Sequence, residues 1–181
     1  MAQIVILTGS ARPNSAGAKL VGHIEKHIAA HADVLVKVVD VAELQLPFFD
    51  AAVSPSSDDY SPPHATVVSW TKTVDWAHGF LLLVPEYNGS VTAVQKNAID
   101  WVYKEWGEKP VALVGYGWYG GARAIQSLHV VLETVKATEL ARPTKLTFMK
   151  ELSVDGEILD EAAVNAQLTA TVDELLQVVN K

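Results

Sequence analysis

Apolar residues recur along this chain in two rhythms. Ile4–Leu7, Val34–Val39, Phe80–Val84 and Val111–Gly115 are short, nearly continuous apolar runs, each ended by a polar or turn-forming residue. Runs of this length predict strands buried on both faces. Between them the apolar positions return every three or four residues, the spacing that lays a stripe along one side of a helix. Val21, Ile24 and Ile28 predict a helix that starts near Ser15, and Val67, Trp70, Val74 and Ala77 predict a second, with Pro62-Pro63 at its start. A third runs from roughly Thr92 to Tyr103, and Ile125, Leu128, Leu132 and Val135 carry a fourth. Leu146–Met149 reads as a fifth strand beyond a break at Arg142-Pro143, and Leu168, Val172, Leu175, Leu176 and Val179 complete an amphipathic C-terminal helix. Residues 40–63 follow neither rhythm. A connection that long inside a compact domain is usually functional or mobile.

Strands that alternate with helices and are apolar on both faces predict a parallel sheet covered on its two sides. No internal repeat or second domain is visible, so residues 1–181 read as a single α/β domain. Five strands of this kind most often take the order 2-1-3-4-5, the flavodoxin-like three-layer sandwich. Ligands of such sheets sit beyond the carboxyl ends of the strands, where the strand order reverses, here between strands one and three. The loops after strands one, three and four are therefore where chemistry is expected.

The first loop, Thr8-Gly9-Ser10-Ala11-Arg12-Pro13-Asn14-Ser15, offers hydroxyls, an amide, a guanidinium and backbone N–H groups at a helix start. That combination suits a phosphate dianion. It is equally consistent with a plain helix cap and a solvated arginine. No Gly-Lys-Ser/Thr follows, so it is not the phosphate loop of ATP and GTP hydrolases. The second loop, Val84-Pro85-Glu86-Tyr87-Asn88-Gly89-Ser90, contains more chemistry than a turn needs, since Asn-Gly alone reverses a chain. The third, Gly115-Tyr116-Gly117-Trp118-Tyr119-Gly120-Gly121, spells G-x-G-x-x-G but follows the fourth strand. It reads as glycines that let a flat ligand approach the backbone beside Trp118 or Tyr119, or as a turn whose aromatics pack on a neighbouring subunit.

The 181 residues are 49% hydrophobic and carry a net charge of −7. That charge argues against nucleic acid, which needs clustered Lys and Arg. There are no cysteines, so thiolate catalysis and cysteine-ligated metals are excluded and any redox chemistry needs a cofactor. No apolar run is long enough for a membrane helix and the N-terminus lacks the pattern of a signal peptide, which leads to the expectation of a cytoplasmic protein. His23 and His27 lie one helical turn apart, but with no third ligand in view they read as a solvated face.

Four stretches carry a resemblance: Gly9-Ser10-Ala11-Arg12 with Ser15, Leu46-Pro47-Phe48-Phe49-Asp50, Pro85-Glu86-Tyr87-Asn88, and Lys96-Asn97-Ala98-Ile99-Asp100-Trp101. In this order they resemble the NADPH-dependent FMN reductase family, whose members include FMN, quinone, azo-dye and chromate reductases. The resemblance spans about residues 1–135. It implies that Ser10, Arg12, Asn14 and Ser15 hold the FMN phosphate. It also implies that Pro85, Glu86, Tyr87 and Asn88 line the isoalloxazine and ribityl chain, with Gly117 and Gly120 along the pyrimidine side. Two positions depart from the family pattern: Gly17, where members often have Asn, and Thr92-Ala93, where they often have Pro-Gly.

The activity implied is hydride transfer from NADPH or NADH through FMN to a small acceptor, whether free flavin, quinone, azo compound or metal oxyanion. It needs no triad and no metal. Backbone N–H groups of Glu86–Asn88 are expected at the polar edge of the ring. The Glu86 carboxylate itself is expected to point away or to pair with a cation. A non-enzymatic electron carrier of the same fold is the alternative, disfavoured because the first loop carries Arg12 in place of the threonine-rich phosphate loop of short flavodoxins. Family members are commonly dimers or tetramers, which would give Trp101, Tyr103 and Trp106 a place to pack, the plain alternative being packing within the subunit.

Overall fold

The computed structural model describes residues 1–181. Its parallel sheet contains β1 (Ala2–Leu7), β2 (Val34–Val39), β3 (Gly79–Pro85), β4 (Pro110–Gly117), β5 (Thr138–Glu139) and β6 (Thr144–Thr147). The order is β2-β1-β3-β4, with β5 and β6 both paired to the outer side of β4. This is the flavodoxin-like order expected from the sequence. All seven residues of β3 and all eight of β4 are buried, as central strands covered on both faces must be. The edge strand β2 leaves Leu35 and Val38 partly in solvent.

The helices divide between the two faces. On one side lie α1 (Ala16–Ala29) and α5 (Glu161–Val179), packed on Ile4, Ile6, Leu81, Leu83 and Val114. On the other lie α2 (Ala65–Trp76), α3 (Ala93–Asp100) and α4 (Ala122–Thr134), packed on Val5, Leu7, Leu82, Val84 and Leu113. The alternation of odd and even strand residues between two cores is the period-two geometry of a strand made visible. The stripe Leu20, Ile24 and Ile28 of α1 is buried almost completely. Each such side chain contributes about 1.5–3 kcal/mol by leaving water.

Two elements differ from the sequence expectation. The helix predicted to reach Tyr103 ends at Asp100 and is followed by a short 3-10 turn over Lys104–Trp106. That turn delivers Trp106 into the core between Trp70 and Phe80, and Trp101 is equally buried, so neither aromatic is available to a neighbouring subunit. The fifth strand begins at Thr144, ends at Thr147 instead of Met149, and is preceded by the short piece β5. Pro143 cannot donate to a ladder, so the chain leaves β4 between the two pieces. Glu174 of α5 replaces the missing partner: its carboxylate accepts from the amides of Ala141 and Arg142 at 3.2 and 3.1 Å.

The connection over residues 40–63 is tied down along its length. The carbonyl of Pro47 accepts from Asn97 Nδ2 and Trp101 Nε1, both at 2.8 Å, and Asn97 Oδ1 accepts from the Phe49 amide at 3.0 Å. Further along, Tyr60 donates to the Trp101 carbonyl and Lys104 pairs with Asp58.

Candidate functional site

A cleft of about 260 Å³ opens at the carboxyl edge of the sheet, between the ends of β1 and β3. This is the point where strand order reverses. The loop after β1 supplies Ser10, Arg12, Asn14 and Ser15, and the loop after β3 supplies Pro85, Glu86 and Tyr87. From β4 come Tyr116, Gly117 and Trp118, and the segment after β6 closes the remaining side with Phe148 and Val154.

The two principal loops are joined directly. Ser10 Oγ and Tyr87 Oη lie 2.7 Å apart, and the same Ser10 oxygen accepts from the Arg12 amide at 3.2 Å. Behind this contact, Thr92 Oγ1 donates to the Gly9 carbonyl at 2.6 Å and accepts from the Gln95 amide at 3.2 Å. Thr92 is thus the N-cap of α3 and the anchor of the first loop at once. The departure from the family's Pro-Gly at this place has a structural role of its own.

The second loop owes its shape to Asn88-Gly89, whose φ angles are +50° and +79°. Two consecutive positive φ values make the tight reversal for which Asn-Gly is suited. Tyr87 and Ser90 face each other across it, each amide donating to the other's carbonyl at 3.1 Å. The Tyr87 amide is therefore occupied, whereas those of Glu86 and Asn88 make no hydrogen bond within the chain.

The Glu86 carboxylate turns toward α4. That helix starts at Gly121, which has no side chain with which to cap it. Glu86 Oε2 accepts from the Arg123 amide at 3.1 Å, and an Arg123 guanidinium nitrogen lies 3.8 Å from Oε1. Glu86 thus caps a helix from outside it and pairs with a cation there.

The start of α1 contrasts with those of α3 and α5, where Thr92 and Asp160 accept from helix amides. Ser15 makes no side-chain capping bond, and the first turn holds no acidic residue. Arg12, exposed beside it, has no carboxylate partner. Tyr116 reaches this point from β4. Its hydroxyl is buried and faces the Gly17 backbone and the Ser15 hydroxyl, without hydrogen-bond geometry to either. Burial first, and then the neighbouring Tyr87, push the Tyr116 phenol far above its ordinary value, although Gly17, Ser15 and Arg12 pull it down. It is a neutral donor at any ordinary pH. The collection of free helix amides, a guanidinium and an orphaned phenol is matched to a dianion.

Eight of the ten residues expected at a cofactor site line the cleft. Asn88 does not, because it forms the exposed tip of the second loop, and Gly120 does not, because it lies against the backbone of Lys145. Trp118 stands at the mouth, edge-on to Phe148 with centroids 5.8 Å apart, while Tyr119 turns away beneath Arg123. Sequence reasoning missed Tyr116, Phe148 and Val154. The first sits inside a glycine run read for its glycines. The other two follow the fifth strand, whose loop reaches the same edge of the sheet. On α1, His27 Nδ1 contacts the His23 carbonyl at 2.7 Å, and no group of three or more potential ligands is placed to hold a metal ion.

Residues 2–146 match the family model for NADPH-dependent FMN reductase. An NAD(P)H-dependent FMN reductase from Nectria sp is 32% identical over 152 residues, covering 81% of this chain and 74% of that protein. A quinone reductase from Escherichia coli is 30% identical over 182 aligned positions, covering 93% of this chain and 92% of that protein. Among solved structures, a flavoenzyme NAD(P)H:(acceptor) oxidoreductase from Paracoccus denitrificans superimposes with a TM-score of 0.75 at 23% identity, covering 98% of both chains. The last comparison carries the fold.

Proposed function

The chain belongs to the NADPH-dependent FMN reductase family, and from that premise we propose that it binds FMN in the cleft between β1 and β3 and passes reducing equivalents from NADPH or NADH to a small acceptor. The observation that carries this reading is the division of the cleft into two chemistries. One end, at the start of α1, gathers unpaired amides, Arg12 and hydroxyls for a phosphate. The other end is lined by the ring side chains of Pro85, Tyr87 and Trp118, which suit a ring system.

Bound FMN supplies the hydride chemistry, and the protein supplies placement and electrostatics. Ser10, Arg12, Asn14 and Ser15 hold the phosphate, with Ser10 fixed by its contact to Tyr87. Pro85 and Tyr87 form one wall, and Gly117 leaves the backbone open on the other. The Glu86 amide, in the cleft wall and without a hydrogen bond inside the chain, would donate to the polar edge of the ring and favour its reduced form. Asn88 and Gly120 act through the turns they shape and not as parts of the wall. Glu86, engaged with α4 and Arg123, takes no part in proton transfer.

The acceptor is a small molecule that reaches the open face of the ring: a free flavin, a quinone, an azo compound or a metal oxyanion. Relatives named FMN reductase, quinone reductase and FMN-dependent NADPH-azoreductase support that range. The exposed Phe48, Trp118 and Tyr119 provide apolar contact for a homodimer or homotetramer, which sizing chromatography tests. The activity is tested by following NADH and NADPH oxidation with each acceptor class, with and without added FMN. FMN-dependent turnover supports the reading. A stable one-electron flavin state on titration, with negligible nicotinamide oxidation, would replace it with an electron carrier.

A further inference from the structure

Tyr116 is 4% exposed, and its hydroxyl has no hydrogen-bond partner. An unpartnered buried hydroxyl is costly, and a native structure that keeps one usually uses it. Nothing in the packing of β4 requires the oxygen. The ring is already seated among the apolar residues between the sheet and α1, with Phe148 edge-on at 6.4 Å. A phenylalanine would fill the same space without an orphaned donor.

The position of the oxygen is set by a second residue. A Cβ built on Gly17 would meet Tyr116 Oη at 2.5 Å and the carbon bearing it at 3.1 Å. A side chain at position 17 and the hydroxyl of Tyr116 therefore compete for one place, in the first turn of α1. The groups around it are the Tyr87 phenol, the Gly17 backbone, the Ser15 hydroxyl and Arg12, and the one carboxylate of the cleft, Glu86, is turned to the start of α4. These neighbours attract an anion, and the phenol proton lacks an acceptor.

We propose that Tyr116 donates a hydrogen bond to the phosphate monoester of the bound flavin nucleotide, and that Gly17 lacks a side chain so that the phenol can occupy this place. The inference rests on the FMN reading and adds a donor that reaches the phosphate from beneath the helix start. Because the phenol stays neutral, its own titration does not enter across the physiological range.

The test is a fluorescence titration of the flavin-free protein with FMN and, separately, with riboflavin, which lacks the phosphate. Tyr116→Phe is expected to weaken FMN binding about tenfold, as the loss of a hydrogen bond to a charged group does, and to leave riboflavin binding within about twofold. Gly17→Ala, which displaces the hydroxyl, is expected to show the same selective loss, and its effect shrinks when combined with Tyr116→Phe. Without ligand, Tyr116→Phe is expected to melt no lower than the parent. Equal weakening of FMN and riboflavin, or no change in either, overturns the inference. If the parent binds neither flavin, the FMN reading fails separately, and inorganic phosphate decides the role of Tyr116. An upward melting shift with phosphate that Tyr116→Phe abolishes supports an anion donor; an identical shift in both proteins, or none, refutes it.

Discussion

Ser10 Oγ and Tyr87 Oη, 77 positions apart in sequence, lie 2.7 Å from each other across the cleft. This contact fixes the distance between the loop after β1 and the loop after β3, and hence the width of the slot they bound. Tyr87→Phe removes one hydrogen bond at a half-exposed site, so the expected cost in stability is about 1 kcal/mol. The larger consequence falls on ligand geometry. FMN affinity is expected to drop several-fold while the urea midpoint moves only slightly, which parallel titration and denaturation of the same preparation will show.

Glu86 looks at first like a candidate acid because it stands in the cleft wall. Its oxygens are committed to the start of α4, where they replace the side chain that Gly121 does not have. Glu86→Ala therefore costs about 1 kcal/mol of stability, the usual value of a lost cap. General acid catalysis is worth about 10²–10⁴ in rate. FMN-dependent turnover of Glu86→Gln is expected to fall by less than about tenfold, with no shift in the pH profile of kcat.

Asn97 and Trp101 hold the Pro47 carbonyl together, and Asn97 also accepts from Phe49. Asn97→Asp turns a donor into a second acceptor facing that carbonyl. The expected cost is about 2 kcal/mol, the range for an unsatisfied, poorly solvated polar group. Release of the long connection follows. Limited proteolysis is expected to cut the variant within residues 40–63 well before the parent protein.

Glu151 is buried behind the cleft segment that follows β6. Burial raises its pKa, but the Lys150 ammonium at 2.8 Å and the Thr147 amide at 2.9 Å more than offset this, and the net direction is downward. A depressed carboxylate binds its proton less readily folded than unfolded. Its contribution is thus complete above the unfolded pKa of about 4.3 and lost as pH falls through the lower folded value. Chemical denaturation between neutral pH and strong acid is expected to show Glu151→Gln less stable than the parent at neutrality, with a shallower decline below about pH 4.

The apolar rhythms carried most of the architecture in plain sight. Continuous runs in β1, β3 and β4 and the stripes of α1, α4 and α5 read directly as elements, because burial demands the same residue types wherever it occurs. The interrupted fifth strand was harder. Its partner in the broken stretch is the Glu174 side chain of a distant helix, which no local pattern encodes. The same holds for the loop over residues 40–63, whose order comes from Asn97, Trp101 and Lys104. Trp101 and Trp106 were ambiguous because a tryptophan beyond a helix end packs equally well inside a subunit or between subunits. Their burial against Phe49 and Phe80 is a tertiary outcome. At the cleft, the first two loops were legible through residue chemistry and resemblance, whereas Tyr116 acts through a strand-to-helix contact with Gly17 that only three dimensions reveal.

On the proposed reading, the cleft between β1 and β3 receives FMN, with its phosphate at the start of α1. The most direct measurement is titration of the purified, flavin-free protein with FMN, following flavin fluorescence and the visible absorbance of the complex, alongside an identical titration with Arg12→Ala. A saturable change at one FMN per chain is predicted, weakened by about one to two powers of ten in Arg12→Ala, the effect of removing a charge-assisted hydrogen bond. Saturable FMN binding that is indifferent to Arg12, or no binding at all, would contradict it.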